Sequence, residues 1–139
     1  MDLERLKMWE AALVEADEKG RVFDFSAWQR YAKDSPCGFT ACLAGDLAMY
    51  GPAQELGMKI GPDGRYGEIT FGRAINDTAI VRFLGATTVE VDWVCGTILP
   101  YYATSTYRVP AHLVTRADGL ARIRAKIAEI EAKQRGETA

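Results

Sequence analysis

Apolar residues recur at helical spacing near both ends of the chain. Asp2 and Thr115 each precede such a stripe and are suitable N-caps, and Gly20 follows the first stripe as a stop signal. The spacing therefore predicts a long amphipathic helix at each end. The stripe positions are Leu3, Leu6, Trp9 or Glu10, Leu13 and Ala16 in the first helix, and Leu120, Ile123, Ile127 and Ile130 in the last.

Helix signals also occur in the middle of the chain. Ser35–Pro36 is a hydroxyl cap followed by proline, which predicts a helix over about residues 36–50 that Gly51–Pro52 ends. The stretch 72–85 predicts another helix, with Ile75, Ala79 and Phe83 on one face, Ile80 and Leu84 beside it, and Gly85 at its end.

The segment 87–95 begins with a capping-box pattern. Thr87 is followed three positions later by Glu90, which favours a helix here. Val89, Val91 and Val94 would also suit a strand, so the strand interpretation stays open.

Residues 58–71 have a period of two rather than a helical period. Apolar positions alternate at Met58 and Ile60 and again at Ile69 and Phe71, around the turn sequence 62–64. The alternation predicts a small β-hairpin, which must pack on helices because an isolated hairpin is marginally stable. The chain is thus expected to form one α+β domain over 1–139, mainly α, with a compact bundle of about four to five helices and this hairpin.

Composition and charge narrow the classes of function. The 139 residues are 48% hydrophobic and 26% charged, which suffices for a packed core. A net charge of −2 argues against nucleic acid as a general partner. No apolar run is long enough to span a membrane, and the charged N-terminus is unlike a secretory signal. A cytoplasmic location is expected, in the host cell if the chain is phage-encoded.

Residues 23–46 contain the pattern F-D-F-S-x-W, a polar spacer and C-G-x-x-A-C-L-A-G. This pattern resembles a group of small phage and bacterial proteins of unknown function, and the segments RFLGAT (82–87) and ARIRAKI (121–127) match them too. The chain departs from the group at Phe39, where threonine is usual, and at Asp46, where histidine or tryptophan is usual. The resemblance implies a fold and a mobile-element setting, but no reaction.

Cys37 and Cys42 allow both chemical and structural interpretations. A helix N-terminus would favour the Cys37 thiolate, so this cysteine could be a nucleophile, half of a redox or disulfide pair, or part of a metal site. The C-x4-C spacing is a weak signal for redox or zinc chemistry, and free cysteine packs as a small hydrophobe. Packing is therefore favoured. We expect Gly45 to allow a close approach by Trp9 or Trp28, and Asp46 to lie on a solvated helix face.

The segment 99–112 is the favoured binding surface. Tyrosines among small hydroxyl residues are typical of adaptable contact surfaces, because tyrosine offers rigid amphipathic area at low entropic cost. The alternative is that these tyrosines pack onto the core. The candidate binding residues are Tyr101, Tyr102, Tyr107, Arg108 and His112.

Three hypotheses of function follow. The favoured one is a small non-enzymatic binding protein of phage or mobile-element origin, which contacts a host or phage protein and could be a counter-defence inhibitor. The second is a small-molecule or nucleotide binder, with tyrosines that stack and Arg108 or Arg73 that contacts phosphate. The third is a cysteine-dependent enzyme that pairs Cys37 with His112. No catalytic residue, metal or cofactor is predicted, and a homo-oligomer formed through the terminal helices stays open.

Overall fold

The computed structural model describes residues 1–20, 43, 45–60, 69–95 and 116–136. The predicted class is confirmed: the fold is α+β and mainly α, and it contains a hairpin at 58–71. The helices are α1 (Leu3–Glu18), α2 (Gly51–Glu55), α3 (Asn76–Leu84), α4 (Thr88–Cys95) and α5 (Arg116–Gln134). The strands are β1 (Met58–Ile60), β2 (Ile69–Phe71) and β3 (Ala74–Ile75). Residues 43 and 45–48, here called the Leu43 segment, are also helical.

The sheet has one more strand than the sequence predicts. Its order is β1-β2-β3, and both neighbouring pairs are antiparallel. Gly72 has a φ of +62°, which lets the chain reverse directly after β2, so that Ala74 pairs with Phe71 and Ile75 pairs with Thr70. The placement of Ile75 on a helix face is therefore wrong: it lies in β3 with 51% of its surface exposed, and α3 begins one residue later.

The ends of the helices follow the local signals in the sequence. Asp2 caps α1 by accepting a hydrogen bond from the Arg5 backbone N–H at 3.2 Å, as predicted. Gly85 adopts the left-handed conformation and closes α3, also as predicted. Gly51–Pro52 does more than end the preceding helix, because it forms the first turn of α2, where proline is well tolerated.

One hydrophobic core joins all the described helices and strands. The sequence left open whether Trp9 or Glu10 belongs to the apolar stripe of α1. Trp9 is buried, whereas Glu10 forms an ion pair with Arg124. The helix α1 packs along α5, and the sheet packs on α3. The largest fully buried side chains are Trp9, Phe83, Leu6, Leu13, Leu43, Leu47, Met58, Ile69, Ile80, Leu84, Ile123 and Val91.

The Leu43 segment lies between the two terminal helices and contacts both. The Trp9 indole N–H donates a buried hydrogen bond of 2.9 Å to the Leu43 carbonyl oxygen. A Cβ built on Gly119 of α5 would lie 2.7 and 2.8 Å from the two Leu43 methyl carbons, so an alanine at this position would require the Leu43 side chain to shift. At Gly45, by contrast, a Cβ would meet no atom of the described residues within 4 Å. Trp9 thus meets this segment at Leu43 rather than at Gly45.

Asp46 is not on a solvated face, and that expectation is wrong. Its exposure is only 6%, and Arg116 binds it in a two-point ion pair. The Nε–Oδ2 distance is 2.8 Å and the Nη2–Oδ1 distance is 3.3 Å. Because an unpaired buried carboxylate is strongly unfavourable, Arg116 stabilises the carboxylate where it stands. The pair fixes the start of α5 to the Leu43 segment.

The capping box that starts α4 is confirmed, and with it the helical interpretation of this segment. The Thr87 backbone N–H donates to the Glu90 carboxylate at 3.0 Å, and the Glu90 N–H donates to the Thr87 hydroxyl at 3.2 Å. Partial burial acts to raise the pKa of Glu90, but the Thr87 hydrogen bonds and the Lys126 charge outweigh it, and the pKa lies below its ordinary 4.5.

This lowered pKa predicts how stability changes with pH. A carboxyl whose pKa is lower in the folded state stabilises the fold above its unfolded pKa, and the contribution disappears as pH falls through the folded value. We expect wild type to have a larger free energy of unfolding than Glu90→Gln at pH 7, and the difference to shrink as pH falls below 4.5. Urea unfolding of both proteins between pH 7 and pH 3 measures this difference in the free energy of unfolding. A difference that stays constant down to pH 3 would contradict the assignment.

Candidate functional site

The site predicted from the sequence lies outside the described residues. This holds for Tyr101, Tyr102, Tyr107, Arg108 and His112, and also for Cys37 and Cys42. The described part of the chain nevertheless contains a surface that the sequence analysis identified only through Arg73.

That surface is a groove of about 580 Å³ beside the sheet. We call it the basic groove, because the charged residues among its described lining are two arginines and a lysine. It is lined by Leu56, Gly57, Lys59, Thr70, Phe71, Gly72, Arg73 and Arg82.

The strand register explains how side chains reach the groove. Met58 and Ile69 are buried on the inner face of the sheet, so their neighbours Lys59 and Thr70 point to the outer face. Lys59 lies directly opposite Thr70, and Thr70 lies opposite Ile75. Across the outer face, the side chains of Lys59, Thr70 and Ile75 therefore form a row that contains a cation, a hydroxyl group and an exposed aliphatic group.

Two glycines and the last turn of α3 shape the rest of the groove. Gly57 has a φ of +109°, and a Cβ built on it would lie 3.7 Å from the Phe71 ring, so the chain passes close to that ring. The turn at Gly72 brings Arg73 to one side of the groove. Arg82, in the last turn of α3, contributes a third cation.

The Phe71 ring, which is among the lining residues of the groove, packs against Phe83 and Arg5. The Phe71 and Phe83 rings meet edge-to-face with centroids 5.3 Å apart. The Arg5 guanidinium lies 4.6 Å from the Phe83 centroid and 5.8 Å from the Phe71 centroid, and it donates a 3.0 Å hydrogen bond to the Phe83 carbonyl oxygen. These contacts hold the Phe71 ring in place at the groove.

Most other described cations form ion pairs with carboxylates, but the cations of the groove do not. Lys7, Lys19, Arg116, Arg124, Lys126 and Lys133 all form ion pairs with carboxylates. Within the described part of the chain, none of Lys59, Arg73 and Arg82 has a carboxylate partner. Among the described residues, no neighbouring side chain therefore neutralises their positive charge.

Exposed aliphatic side chains accompany this charge. Leu56 lines the groove with 43% of its surface exposed, and Ile75 continues the outer row of the sheet beyond Thr70. A surface that combines exposed aliphatic groups with unpaired cations is suited to binding a ligand that is both apolar and acidic.

A second cavity, of about 300 Å³, lies between α1 and α5. Acidic and basic side chains both line it, and its two arginines are already engaged, Arg116 with Asp46 and Arg124 with Glu10. Both of its cations are therefore already paired with carboxylates. Its lining is Leu13, Val14, Asp17, Glu18, Arg116, Ala117, Leu120 and Arg124.

The comparisons with known proteins give no match: no protein-family model fits the chain, and no curated protein or solved structure is significantly similar to it. Within the described ranges, no group of three or more histidine, cysteine or acidic side chains is arranged to hold a metal ion. None of the helices described is both long and apolar enough to cross a membrane.

The pairing pattern predicts which arginines the fold needs. We expect Arg73→Met and Arg82→Met each to change the free energy of unfolding by no more than about 0.5 kcal/mol, as is usual for an exposed side chain without a partner. The same substitution at Arg116 leaves the Asp46 carboxylate buried without its guanidinium and should cost about 3 kcal/mol. Urea unfolding of the three variants measures this. A groove variant that loses as much stability as Arg116→Met would show that its arginine is structural.

Proposed function

We propose that the chain is a small non-enzymatic binding protein that acts through protein–protein contact, with the basic groove as its contact surface. The observation that carries the proposal is that three cations, which have no carboxylate partner among the described residues, line one groove together with the exposed Leu56. Protein interfaces commonly combine apolar anchors with arginine, and a preformed surface binds without the entropic cost of ordering.

The chemistry of the groove favours binding over catalysis. Its described lining residues supply arginine, lysine and threonine side chains together with apolar ones, and none of them is a histidine, a cysteine or a carboxylate. General acid–base catalysis needs a group that exchanges a proton near neutral pH, and nucleophilic catalysis needs a nucleophile with an adjacent base. A lining of this kind attracts and orients a partner without providing either group.

The partner proposed is a host or phage protein. The resemblance of residues 23–46 to small phage and bacterial proteins supports a phage or mobile-element origin. In that setting, a counter-defence inhibitor that occupies a surface of a host protein is the specific activity we propose. Such an inhibitor needs a contact surface and a stable fold, but no active site.

A small anionic molecule is the second candidate, because Arg73 lines a groove whose volume lies in the range of ligand pockets, about 300–1,000 Å³. A nucleotide would use an aromatic ring for stacking. The Phe71 ring already packs against Phe83 and Arg5, whereas the exposed apolar side chain in the lining is the aliphatic Leu56. The groove therefore suits a peptide segment better than a nucleobase.

The proposal is tested by affinity capture from a lysate of the bacterial host with three tagged proteins. The first is wild type, and the second is the groove variant Leu56→Asp with Arg73→Glu. The third, a matched control, carries the same changes of polarity and charge at the exposed Val89 and at Lys19, as Val89→Asp with Lys19→Glu.

We expect wild type and the control to retain the same partner protein and the groove variant to lose it, because only that variant loses the aliphatic contact and reverses a groove charge. Circular dichroism checks that all three proteins are folded. If the groove variant still captures the partner, the contact surface lies elsewhere on the protein. Failure of folded wild type to retain any partner at concentrations above micromolar would count against a protein-contact function.

A further inference from the structure

The charge of the described groove lining is opposite in sign to that of the whole chain. The chain carries a net charge of −2, yet the charged side chains among the described lining residues are all cationic. At physiological ionic strength exposed charges interact over about 8 Å, so a ligand in the groove experiences mainly the local positive field. A short acidic segment that fits within this range is attracted, whereas a long polyanion would also meet the acidic remainder of the surface.

The kinds of cation indicate which acidic group is recognised. Two of the three are arginines, whose planar guanidinium can bind a carboxylate through two parallel hydrogen bonds. They come from different elements, because Arg73 lies in the turn between β2 and β3 and Arg82 lies in α3. Lys59 adds a third charge from β1. Charges contributed by three elements suit several carboxylates spread along a segment.

The aliphatic surface indicates what lies between those carboxylates. Leu56 is in the groove lining itself, so an apolar side chain that enters the groove can contact it and also the edge of the half-buried Phe71 ring. Removing these surfaces from water favours binding, and it distinguishes an acidic peptide from a purely ionic ligand. The exposed Ile75 extends the apolar surface along the row that contains Thr70.

We propose that the basic groove binds an acidic peptide segment of a partner protein, in which carboxylate side chains flank an aliphatic anchor. Arg73, Arg82 and Lys59 bind the carboxylates, and Leu56 contacts the anchor. This inference rests on the proposed function and adds the chemistry of the partner. It also names the groove residues that recognise each part of the segment.

The test measures fluorescence anisotropy of labelled synthetic peptides titrated with the full chain. The first peptide contains aspartate and glutamate around one central leucine. The second has the corresponding amides in place of the acids, and the third has serine in place of leucine. Unlabelled ATP and a single-stranded oligonucleotide serve as competitors that represent free phosphate ligands and nucleic acid.

We expect the first peptide to bind, the amide peptide not to bind, and the serine peptide to bind more weakly. Arg73→Glu and Arg82→Glu should each weaken binding of the first peptide about tenfold or more, because each reverses the sign of one contact. Raising the salt concentration should weaken it as well. Lys19→Glu, a charge reversal outside the groove lining, should leave the affinity unchanged.

Four results would overturn the inference. Equal binding of the acidic and amide peptides would show that charge does not contribute to binding. Binding that is insensitive to both arginine reversals would show that the groove is not the binding site. Displacement or preferential binding by ATP or the oligonucleotide would assign the cations to phosphate. If a partner is captured in a groove-dependent way while the acidic peptide fails to bind, the partner chemistry is wrong and the protein-contact function stands.

Discussion

The contact between Leu43 and its two neighbouring helices is the constraint on which the fold depends. Its carbonyl oxygen accepts the buried Trp9 indole N–H from α1, and its methyl groups occupy the space that a side chain at position 119 of α5 would need. The Asp46–Arg116 pair then fixes the start of α5 to the same segment. One short helical segment thus sets the positions of both terminal helices, although Trp9 and Gly119 are far apart in the sequence.

The same frame supports the proposed binding surface. Near its N-terminus, α1 reaches the sheet layer through Arg5, which binds the Phe83 carbonyl oxygen and lies over the rings of Phe83 and Phe71. The position of Phe71 in the groove therefore depends on α1, and α1 depends on Trp9 and Leu43. Arg116 holds the buried Asp46 carboxylate within this frame, whereas Lys59, Arg73 and Arg82 have no carboxylate partner among the described residues.

Signals within one element or one turn were sufficient to predict much of this architecture. The Thr87–Glu90 capping box, the caps at Asp2 and Gly85, and the alternation in 58–71 each express a local hydrogen-bond or packing requirement, and each is found as predicted. Features set by distant partners were not predictable. Asp46 is buried because Arg116 meets it, and β3 exists because Gly72 folds two residues back onto β2. The basic groove likewise assembles cations from α3, β1 and the turn at Gly72, which only the folded chain brings together.

The most direct test of this account is a double-mutant cycle at Leu43 and Gly119. An alanine in an open helical position gains about 1 kcal/mol over glycine, whereas Gly119→Ala should lower the free energy of unfolding by about 1–3 kcal/mol, because its Cβ meets the Leu43 methyl groups. Leu43→Val removes those methyl carbons and should cost about 1 kcal/mol alone. We predict that the double variant loses less stability than the two single losses combined, by about 1 kcal/mol or more. Additive losses, or a Gly119→Ala protein more stable than wild type, would contradict the claim that this contact sets the spacing of the terminal helices.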